Sequence, residues 1–489
     1  MNGKMVFYIT GRIITIVSFL LLLPVLVAVY FLLYKGIDSE INSINSFLIV
    51  IIGGLILGSI MAFLCRKRNG VLYAKDGFII VTLCWLSVSV IGALPFVISG
   101  EIPSFVDAFF ETVSGFTTTG ASILTNVESL SKSMLFWRSF THWIGGMGVL
   151  VFVMALMPSV SDRSIHILRA EMPGVAVDKI VPRAKDTARI LYILYIGLTV
   201  LQIVLLVAGG MPLFDSAVHA FGTAGTGGFG IKANSIAGYS TYCQWVITVF
   251  MIIFGVNFNV YYLLFIKRSI SAFKSSELWT YLCIILGSSG IICFNIYSMY
   301  GSFSETVRDS FFQVASIIST TGFSTTDFNK WPTLSKGIIL ALMVCGACGG
   351  STAGGIKVSR VIILFKVVSR KLKSMLHPRA VLTVKLDKKP VDEETIDSVS
   401  VYLTVYAILI VAIFLLLCIE PMSIETHLSA TLSCFNNIGP GLDSVGPAAS
   451  YSLYSPFSKI ILSVAMLFGR LEIFPILLFL SPSSWRKAG

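Results

Sequence analysis

Four short strips that combine glycine with threonine, serine or asparagine recur along the chain. They are numbered one to four in chain order and read TTTGAS (residues 117–122), AGTGGF (224–229), STTGFS (319–324) and NNIGPG (436–441). One glycine of each strip aligns with the others, which gives the set Gly120, Gly227, Gly322 and Gly439. Glycine permits positive φ, so such a strip can turn successive carbonyl oxygens toward one side. A ring of carbonyl oxygens replaces the hydration shell of a monovalent cation, and this is the chemistry that the strips predict.

Each strip follows an apolar stretch that is too short to cross a bilayer, at residues 107–116, 213–222, 308–318 and 425–435. Apolar runs of about 10–14 residues are typical of re-entrant or buried helices. The negative C-terminal end of such a helix faces its strip and favours a cation there. Non-helical backbone at membrane depth is tolerated only inside protein or along a water-filled path, so the strips are predicted to line a pore. Packing of small residues between helices would explain any one strip, but it explains the fourfold recurrence poorly.

The composition is that of a membrane protein, because 55% of the 489 residues are apolar and only 12% are charged. Ordinary soluble domains have about 25% charged residues, so a soluble enzyme is excluded. Unbroken apolar runs of about 20 residues match membrane-crossing helices and not the alternating strands of a barrel. Ten spans are predicted, at 12–34, 47–65, 77–99, 134–157, 188–209, 242–267, 278–300, 336–372 (interrupted), 398–419 and 457–480.

The predicted fold class is an all-α polytopic membrane protein with a central pore. An N-terminal two-helix hairpin (residues 1–70) precedes four pseudo-symmetric repeats of span, short pore helix, filter strip and span. The predicted repeats cover residues 71–160, 185–270, 275–375 and 395–485.

The net charge of +11 reflects topology. Basic residues cluster in alternate connections, at 66–68, 163–189, 267–268 and 370–389. Lys and Arg enrichment marks cytoplasmic loops, so these loops and both termini are predicted to be cytoplasmic, and no nucleic-acid partner is expected. The nine cysteines lack the spacing of a zinc site or a disulfide framework.

The eighth span is interrupted by CGACGGSTAGG (residues 345–355), whose five glycines weaken a continuous helix. Three of them, at positions 346, 350 and 354, are spaced four apart, so a helix-packing stripe remains an alternative. Arg470 lies within the last span, where a buried charge is costly and indicates function. An ion pair with Glu472, or a side chain that reaches the membrane interface, is the alternative for Arg470. Structural roles are predicted for His142 and His219.

Several longer motifs carry a family resemblance, together with TTTGAS. They are WRSFTHWIGGMG (137–148), GVNFNVYY (255–262), STTGFSTTDF (319–328), GGSTAGGIKVSR (349–360), NNIGPGL (436–442) and GRLEIF (469–474). The chain resembles, over its whole length, the superfamily of K⁺ transporters that includes the bacterial TrkH and KtrB proteins and the plant HKT proteins. It looks most like TrkH, of which the N-terminal hairpin is typical.

The resemblance implies K⁺ uptake across the bacterial cytoplasmic membrane by a homodimer with one pore per chain. It also implies a nucleotide-binding cytoplasmic regulatory subunit of the TrkA type, whereas this chain itself is expected to bind no cofactor besides the transported K⁺. HKT-like members that select Na⁺ have serine at the first filter glycine, so Gly120 favours K⁺.

The residues that the resemblance implies fall into two sets. K⁺ binds backbone carbonyls of the selectivity filter, with Thr118, Thr119, Gly120, Thr226, Gly227, Thr321, Gly322, Asn437, Ile438 and Gly439. A gate lies below the filter, with Gly346, Gly349, Gly350, Ser351, Thr352, Ala353, Gly354, Gly355, Lys357 and Arg470.

An ion-coupled secondary K⁺ symporter is the alternative function, with Glu472 as the main candidate for a coupling carboxylate. Such transporters are typically built from two large repeats with helices broken at the midplane, whereas four repeats are predicted here. A membrane enzyme would need clustered His, Asp or Glu within the spans, and the sequence lacks such clusters.

Overall fold

The structure of the chain is a computed structural model that describes residues 3–65, 74–148, 184–380, 382–387 and 389–485. The helices are α1 (Gly3–Leu20), α2 (Leu22–Lys35), α3 (Glu40–Leu64), α4 (Ala74–Ser99), α5 (Phe105–Phe116), α6 (Lys132–Gly146), α7 (Ala184–Ala208), α8 (Leu213–Ala224), α9 (Thr241–Phe254), α10 (Phe258–Tyr261), α11 (Ser276–Ile296), α12 (Phe303–Ile318), α13 (Thr333–Cys345), α14 (Val358–Leu376), α15 (Glu393–Leu417), α16 (Ile424–Phe435), α17 (Pro456–Arg470), α18 (Phe474–Leu480) and α19 (Pro482–Trp485). Strands β1 (Lys385–Leu386) and β2 (Lys389–Pro390) form a small antiparallel hairpin between α14 and α15.

The N-terminal hairpin consists of α1 and α2, which together run 33 residues, and of α3. Its helices pack closely through glycine, because a Cβ atom on Gly11 would lie 2.9 Å from the carbonyl oxygen of Gly58. The hairpin is tied to the first repeat by Glu40, whose carboxylate accepts the N–H of Lys132 at 2.6 Å. This bond satisfies a free N–H at the start of α6.

Helices α5, α8, α12 and α16 are the four short helices that the sequence predicts before the strips. Two begin at serine caps, since the Ser104 and Ser423 hydroxyls accept the N–H groups of Asp107 and Thr426. Each short helix follows a longer helix and ends at its strip. The described chain is therefore helical with a fourfold recurrence of long helix, short helix, strip and helix.

The prediction that only the eighth span is interrupted is wrong, because the helices in the spans predicted at 242–267 and 457–480 are also broken. Six helices of the described residues are long and apolar enough to cross a membrane, or seven if α9 and its bent continuation count as one. The helix after each strip stops partway instead: α6 ends at Gly146, α9 at Phe254, α13 at Cys345 and α17 at Arg470. Residues 149–157 of the predicted fourth span lie outside the described residues.

Local backbone chemistry accounts for the unexpected breaks. Beyond α9 the chain bends by 94°, where the Asn257 side chain accepts the N–H of Asn259 at 2.9 Å and starts a new helix. Beyond α17, Glu472 and Ile473 both adopt positive φ, at 52° and 69°, which no α-helix contains. Apolar residues flank both breaks, so hydropathy averaged over a window does not detect them.

Candidate functional site

The four strips meet in a closed ring, because one glycine of each strip lies against the backbone of the next. A Cβ atom on Gly120 would lie 2.0 Å from the Gly227 carbonyl oxygen in strip two. The other three contacts are Gly228 to the Thr321 oxygen (2.0 Å), Gly322 to the Ile438 oxygen (2.1 Å) and Gly439 to the Thr119 oxygen (2.7 Å). The last contact returns to strip one, so the strips follow chain order around one axis. Only glycine fits at such close approaches.

The register of strip two differs from the sequence alignment by one residue. Its ring glycine is Gly228, which has a φ of 75°, and the predicted alignment of Gly227 with Gly120 is wrong. The ring glycines of the other three strips also have positive φ. In all four strips, the residue two positions before the ring glycine has a φ of 54–57°; these residues are Thr118, Thr226, Thr320 and Asn437. The sequence prediction therefore missed Gly228 and Thr320.

The imidazole ring of His142 explains the adjacent glycines of strip two. A Cβ on Gly227 would lie 2.3 Å from the ring atoms Cγ and Nδ1, and a Cβ on Gly225 would lie 2.2 Å from the His142 carbonyl oxygen. His142 Nδ1 donates to the Gly115 oxygen at 2.7 Å, and Nε2 accepts the N–H of Phe229 at 3.3 Å. His142 thus positions strip two against α5, in agreement with the predicted structural role.

The residue directly before each ring glycine is anchored to the short helix of its own repeat. The N–H groups of Thr119, Gly227, Thr321 and Ile438 each donate to the carbonyl five residues earlier, at 2.8–2.9 Å. Within the described ranges, no backbone N–H donates to the carbonyl oxygens of residues 118–119, 226–227, 320–321 or 437–438. The anchored strips therefore direct these carbonyl oxygens to the ring, where they can ligate a cation.

The ring opens on one side into a cavity of about 390 Å³, whose wall includes all four ring glycines. Arg138 also lines this cavity, and its Nε donates to buried Glu111 at 2.5 Å, so its charge is offset. Asp443 lies next to the cavity wall, where hydroxyl donation from Ser423 and Thr426 lowers the pKa of its carboxyl group. Asp443 therefore stays ionised at neutral pH.

A non-helical loop, residues 346–357, separates α13 from α14 where the sequence predicts an intramembrane interruption, and it is named the intramembrane loop. Its neck is closed by backbone hydrogen bonds from Lys357 to Cys345 (3.1 Å) and from Val358 to Ala347 (2.9 Å). Gly346 and Gly355 pack against each other at this neck, and both have positive φ. A Cβ on Gly355 would lie 2.7 Å from the Gly346 Cα atom. These residues are not helical, so the alternative of a helix-packing stripe is wrong.

The loop packs directly against the strips. The Gly354 N–H donates to the Thr320 hydroxyl at 2.7 Å, and a Cβ on Gly354 would lie 2.3 Å from the Asn436 carbonyl oxygen. The break after α9 holds the opposite side of the loop, because Cys348 donates to Gly255 and Phe258 donates to Gly350, each at 3.1 Å. The loop is thus held between strips three and four and the bent ninth helix.

Arg470, at the end of α17, joins the loop to the first repeat. Its Nη1 donates to the Thr352 carbonyl oxygen at 2.9 Å and to the Thr118 hydroxyl at 3.4 Å. Its Nη2 donates to the carbonyl oxygens of Gly145 and Gly146. One guanidinium therefore bridges a strip, the loop and the C-terminal end of α6.

The other buried charges near the loop have different partners. Lys357 Nζ donates to the Ala353 carbonyl oxygen within the loop. Glu472 forms an ion pair with Arg360, so the alternative pairing of Glu472 with Arg470 is wrong. The four hydrogen bonds of Arg470 to the Thr118 hydroxyl and to the carbonyl groups of Thr352, Gly145 and Gly146 are all to neutral oxygens.

A second cavity, of about 1180 Å³, opens beyond the loop. Its wall includes Arg470 and the following predicted gate residues: Gly349, Gly350, Ser351, Ala353, Gly354, Gly355 and Lys357. Gly346 and Thr352 do not line it. The loop and Arg470 lie between this cavity and the strips.

Known proteins share this sequence and fold along the whole chain. The family described as "TrkH: Cation transport protein" matches residues 43–287 and 291–487. The chain is 34% identical to "Trk system potassium uptake protein TrkH" of Salmonella typhimurium and of Escherichia coli K12, over 100% of each chain. It is 33% identical to "Trk system potassium uptake protein TrkG" of Escherichia coli K12, over 99% of both chains.

A solved structure agrees with the fold. It is the crystal structure of the potassium transporter TrkH from Vibrio parahaemolyticus, which matches with a TM-score of 0.88 and 32% sequence identity. The match covers 99% of this chain and 100% of that one.

Proposed function

The chain belongs to the TrkH family of cation transport proteins, a family of membrane transporters and not of enzymes, and we propose that it takes up K⁺ through the ring of strips. Its membrane is the bacterial cytoplasmic membrane, with both termini on the cytoplasmic side. The curated relatives are named as potassium uptake proteins, which supports K⁺ as the ion.

The cyclic contact of the four strips is the observation that carries this proposal. Four carbonyl oxygens, from Thr119, Gly227, Thr321 and Ile438, are brought together by the ring glycines. Backbone oxygens carry no net charge, so they suit a weakly hydrated monovalent cation better than a divalent one. K⁺ is expected to bind here, between the two cavities.

The intramembrane loop and Arg470 form the gate in this proposal. The loop closes the path below strips three and four, and the Arg470 charge repels cations there. Arg470 donates to the Thr352 carbonyl of the loop on one side of the proposed ion path and to the Gly146 carbonyl of α6 on the other. The gate must therefore move before an ion can pass.

A coupled symporter is less consistent with the geometry. A coupling carboxylate needs to gain and lose a proton on the path, whereas Glu472 is paired with Arg360. The pore is therefore preferred, with flux that follows the electrochemical gradient.

Ion flux in liposomes tests the function. We expect the purified protein to conduct K⁺ at least tenfold faster than Na⁺ under a membrane potential, with protein-free liposomes as the control. Equal K⁺ and Na⁺ flux would contradict the filter. Flux that needs a second ion in fixed stoichiometry would instead support the symporter.

The cytoplasmic partner is proposed to be a nucleotide-binding regulatory subunit, which acts on a homodimer of this chain. Lys371, Lys373 and Arg379 are exposed at the end of α14 and after it, on the predicted cytoplasmic face. Arg370 is already paired with Glu393. The exposed cations are available to an acidic surface, and their contribution is screened by salt.

Replacing Lys371, Lys373 and Arg379 by glutamine is expected to weaken binding of a TrkA-type subunit by about tenfold at low salt, with a smaller effect at high salt. Pull-down across a salt series measures this. Glutamine at Lys35 and Lys330, which are exposed on the predicted outer face, is the control. Binding unchanged by the cytoplasmic substitutions would exclude these residues from the interface.

A further inference from the structure

Glu277, at the start of α11, contacts both ends of the intramembrane loop. Its Oε1 atom accepts the N–H of Gly349 at 2.7 Å and the N–H of Ser359 at 3.1 Å. Gly349 lies near the beginning of the loop and Ser359 lies just beyond its end, in the first turn of α14. One carboxylate oxygen therefore fastens the two ends of the loop to a third helix.

The chemistry of these two bonds makes them strong. Hydrogen bonds to an ionised acceptor are roughly twice as strong as those between neutral groups. The Ser359 N–H is one of the donors that a helix start leaves without a partner inside the helix, and a negative charge there is favoured by the helix dipole. The remaining backbone bonds from the loop to the α9 break, at Cys348 and Gly350, join neutral groups.

The start of α11, which carries Glu277, is held in place by the hairpin of β1 and β2 on the predicted cytoplasmic side. Asp387, in the hairpin between β1 and β2, accepts both the N–H and the hydroxyl of the neighbouring Ser276, at 2.7 and 2.6 Å. Lys366 of α14 donates to the Lys385 carbonyl oxygen in the same hairpin, at 2.7 Å. The start of α11 is thus joined to the cytoplasmic hairpin and to the helix that follows the loop.

We propose that Glu277 is a latch for the gate, a positioning residue whose carboxylate holds both ends of the intramembrane loop in the closed conformation. This inference rests on the proposed gate. In the described part of the chain, the carboxylate has its hydrogen bonds to the loop and to the start of α14 and none to the strips, so it acts through the loop. Releasing it frees the loop to leave the path, while the ring of strips stays unchanged.

Three substitutions of Glu277 distinguish the effect of side-chain length from the effect of side-chain charge. Glu277→Ala removes the acceptor, and Glu277→Asp keeps the charge but withdraws it by one methylene, beyond hydrogen-bond distance. Glu277→Gln keeps an oxygen acceptor at the same reach. Glu394→Ala, an exposed acidic residue at the start of α15, is the matched control.

The measurement is K⁺ flux per inserted protein molecule in liposomes without a cytoplasmic partner, with the K⁺/Na⁺ ratio recorded in parallel. We expect Glu277→Ala and Glu277→Asp to raise flux by on the order of tenfold, the effect of one charge-assisted hydrogen bond on an equilibrium. Glu277→Gln should lie between the wild type and Glu277→Asp, and the K⁺/Na⁺ ratio should not change. A purely structural role would lower protein yield and leave the flux of each inserted molecule unchanged.

Arg470→Ala in the same assay distinguishes a failed latch from a failed gate. If Arg470→Ala raises flux and the Glu277 variants do not, the latch is wrong and the gate stands. If none of the variants raises flux, the gate is wrong and the latch with it. Should Glu277→Ala fail to insert, the comparison of Glu277→Asp with Glu277→Gln decides: higher flux for aspartate supports the latch, and equal or lower flux overturns it.

Discussion

Replacing Arg470 by alanine is expected to raise K⁺ flux in the absence of a partner by tenfold or more. The change removes a positive charge from the path and releases the Thr352 carbonyl of the loop. It also releases the Gly145 and Gly146 carbonyls on the opposite side. Each charge-assisted bond contributes roughly 1.5–3 kcal/mol to the closed arrangement, so the loss of even one shifts the equilibrium about tenfold. Liposome flux per inserted molecule measures the effect.

Arg470→Lys is the matched control for the gate, because it keeps the charge and loses the planar fork that bonds several carbonyl groups. Its flux should lie between the wild type and Arg470→Ala. Deletion of residues 349–353 should also raise flux, since Gly346 and Gly355 already meet at the loop neck and leave the shortened chain connected. Loss of flux in both Arg470→Ala and the deletion variant, with protein folded and inserted, would contradict the gate.

The sequence predicts the short helices and the loop well because their signals are local. Each short helix is an apolar stretch of limited length that ends at a glycine strip, and five glycines within residues 345–355 disfavour a helix by themselves. These features depend on side chains that are neighbours in the chain. They do not require knowledge of which elements pack together.

The breaks after α9 and α17 could not be predicted, since hydropathy measures the transfer of side chains and not the course of the backbone. The positive φ of Ile473 is unfavourable for a β-branched residue, and only the surrounding tertiary structure holds it. Glu277 was missed for a related reason. Its partners, Gly349 and Ser359, are distant in sequence, and the residue stands at the edge of an otherwise apolar helix.

The register of strip two is also a long-range property. Gly227 and Gly228 are adjacent, so the pattern of the strip alone allows either to be the ring glycine. His142, from another repeat, decides between them because its ring occupies the space that a side chain at position 227 would need. In the other strips this position holds Thr119, Thr321 and Ile438, which pack as buried side chains.

Substitution of a ring glycine is expected to lower the K⁺/Na⁺ flux ratio by on the order of tenfold. In Gly120→Ser the new Cβ meets the Gly227 carbonyl oxygen at 2.0 Å, and in Gly228→Ser it meets the Thr321 oxygen at 2.0 Å. Both positions also have positive φ, at 80° and 75°. Neither backbone can keep its place, so the carbonyl geometry that replaces the K⁺ hydration shell is lost. Flux ratios in liposomes measure this, and an unchanged ratio would contradict the filter.

The same assay tests the register, because the neighbouring Gly227 is obstructed by a side chain and not by backbone. Gly227→Ala alone should lower the K⁺/Na⁺ ratio, since its Cβ meets the His142 ring at 2.3 Å. Adding His142→Ala removes that ring, and the ratio of the double variant should recover toward that of His142→Ala alone. Gly228→Ala should show no recovery with His142→Ala, because the Thr321 carbonyl oxygen remains in place. Recovery at position 228 but not at 227 would restore the alignment of Gly227 with the ring and reject the register observed here.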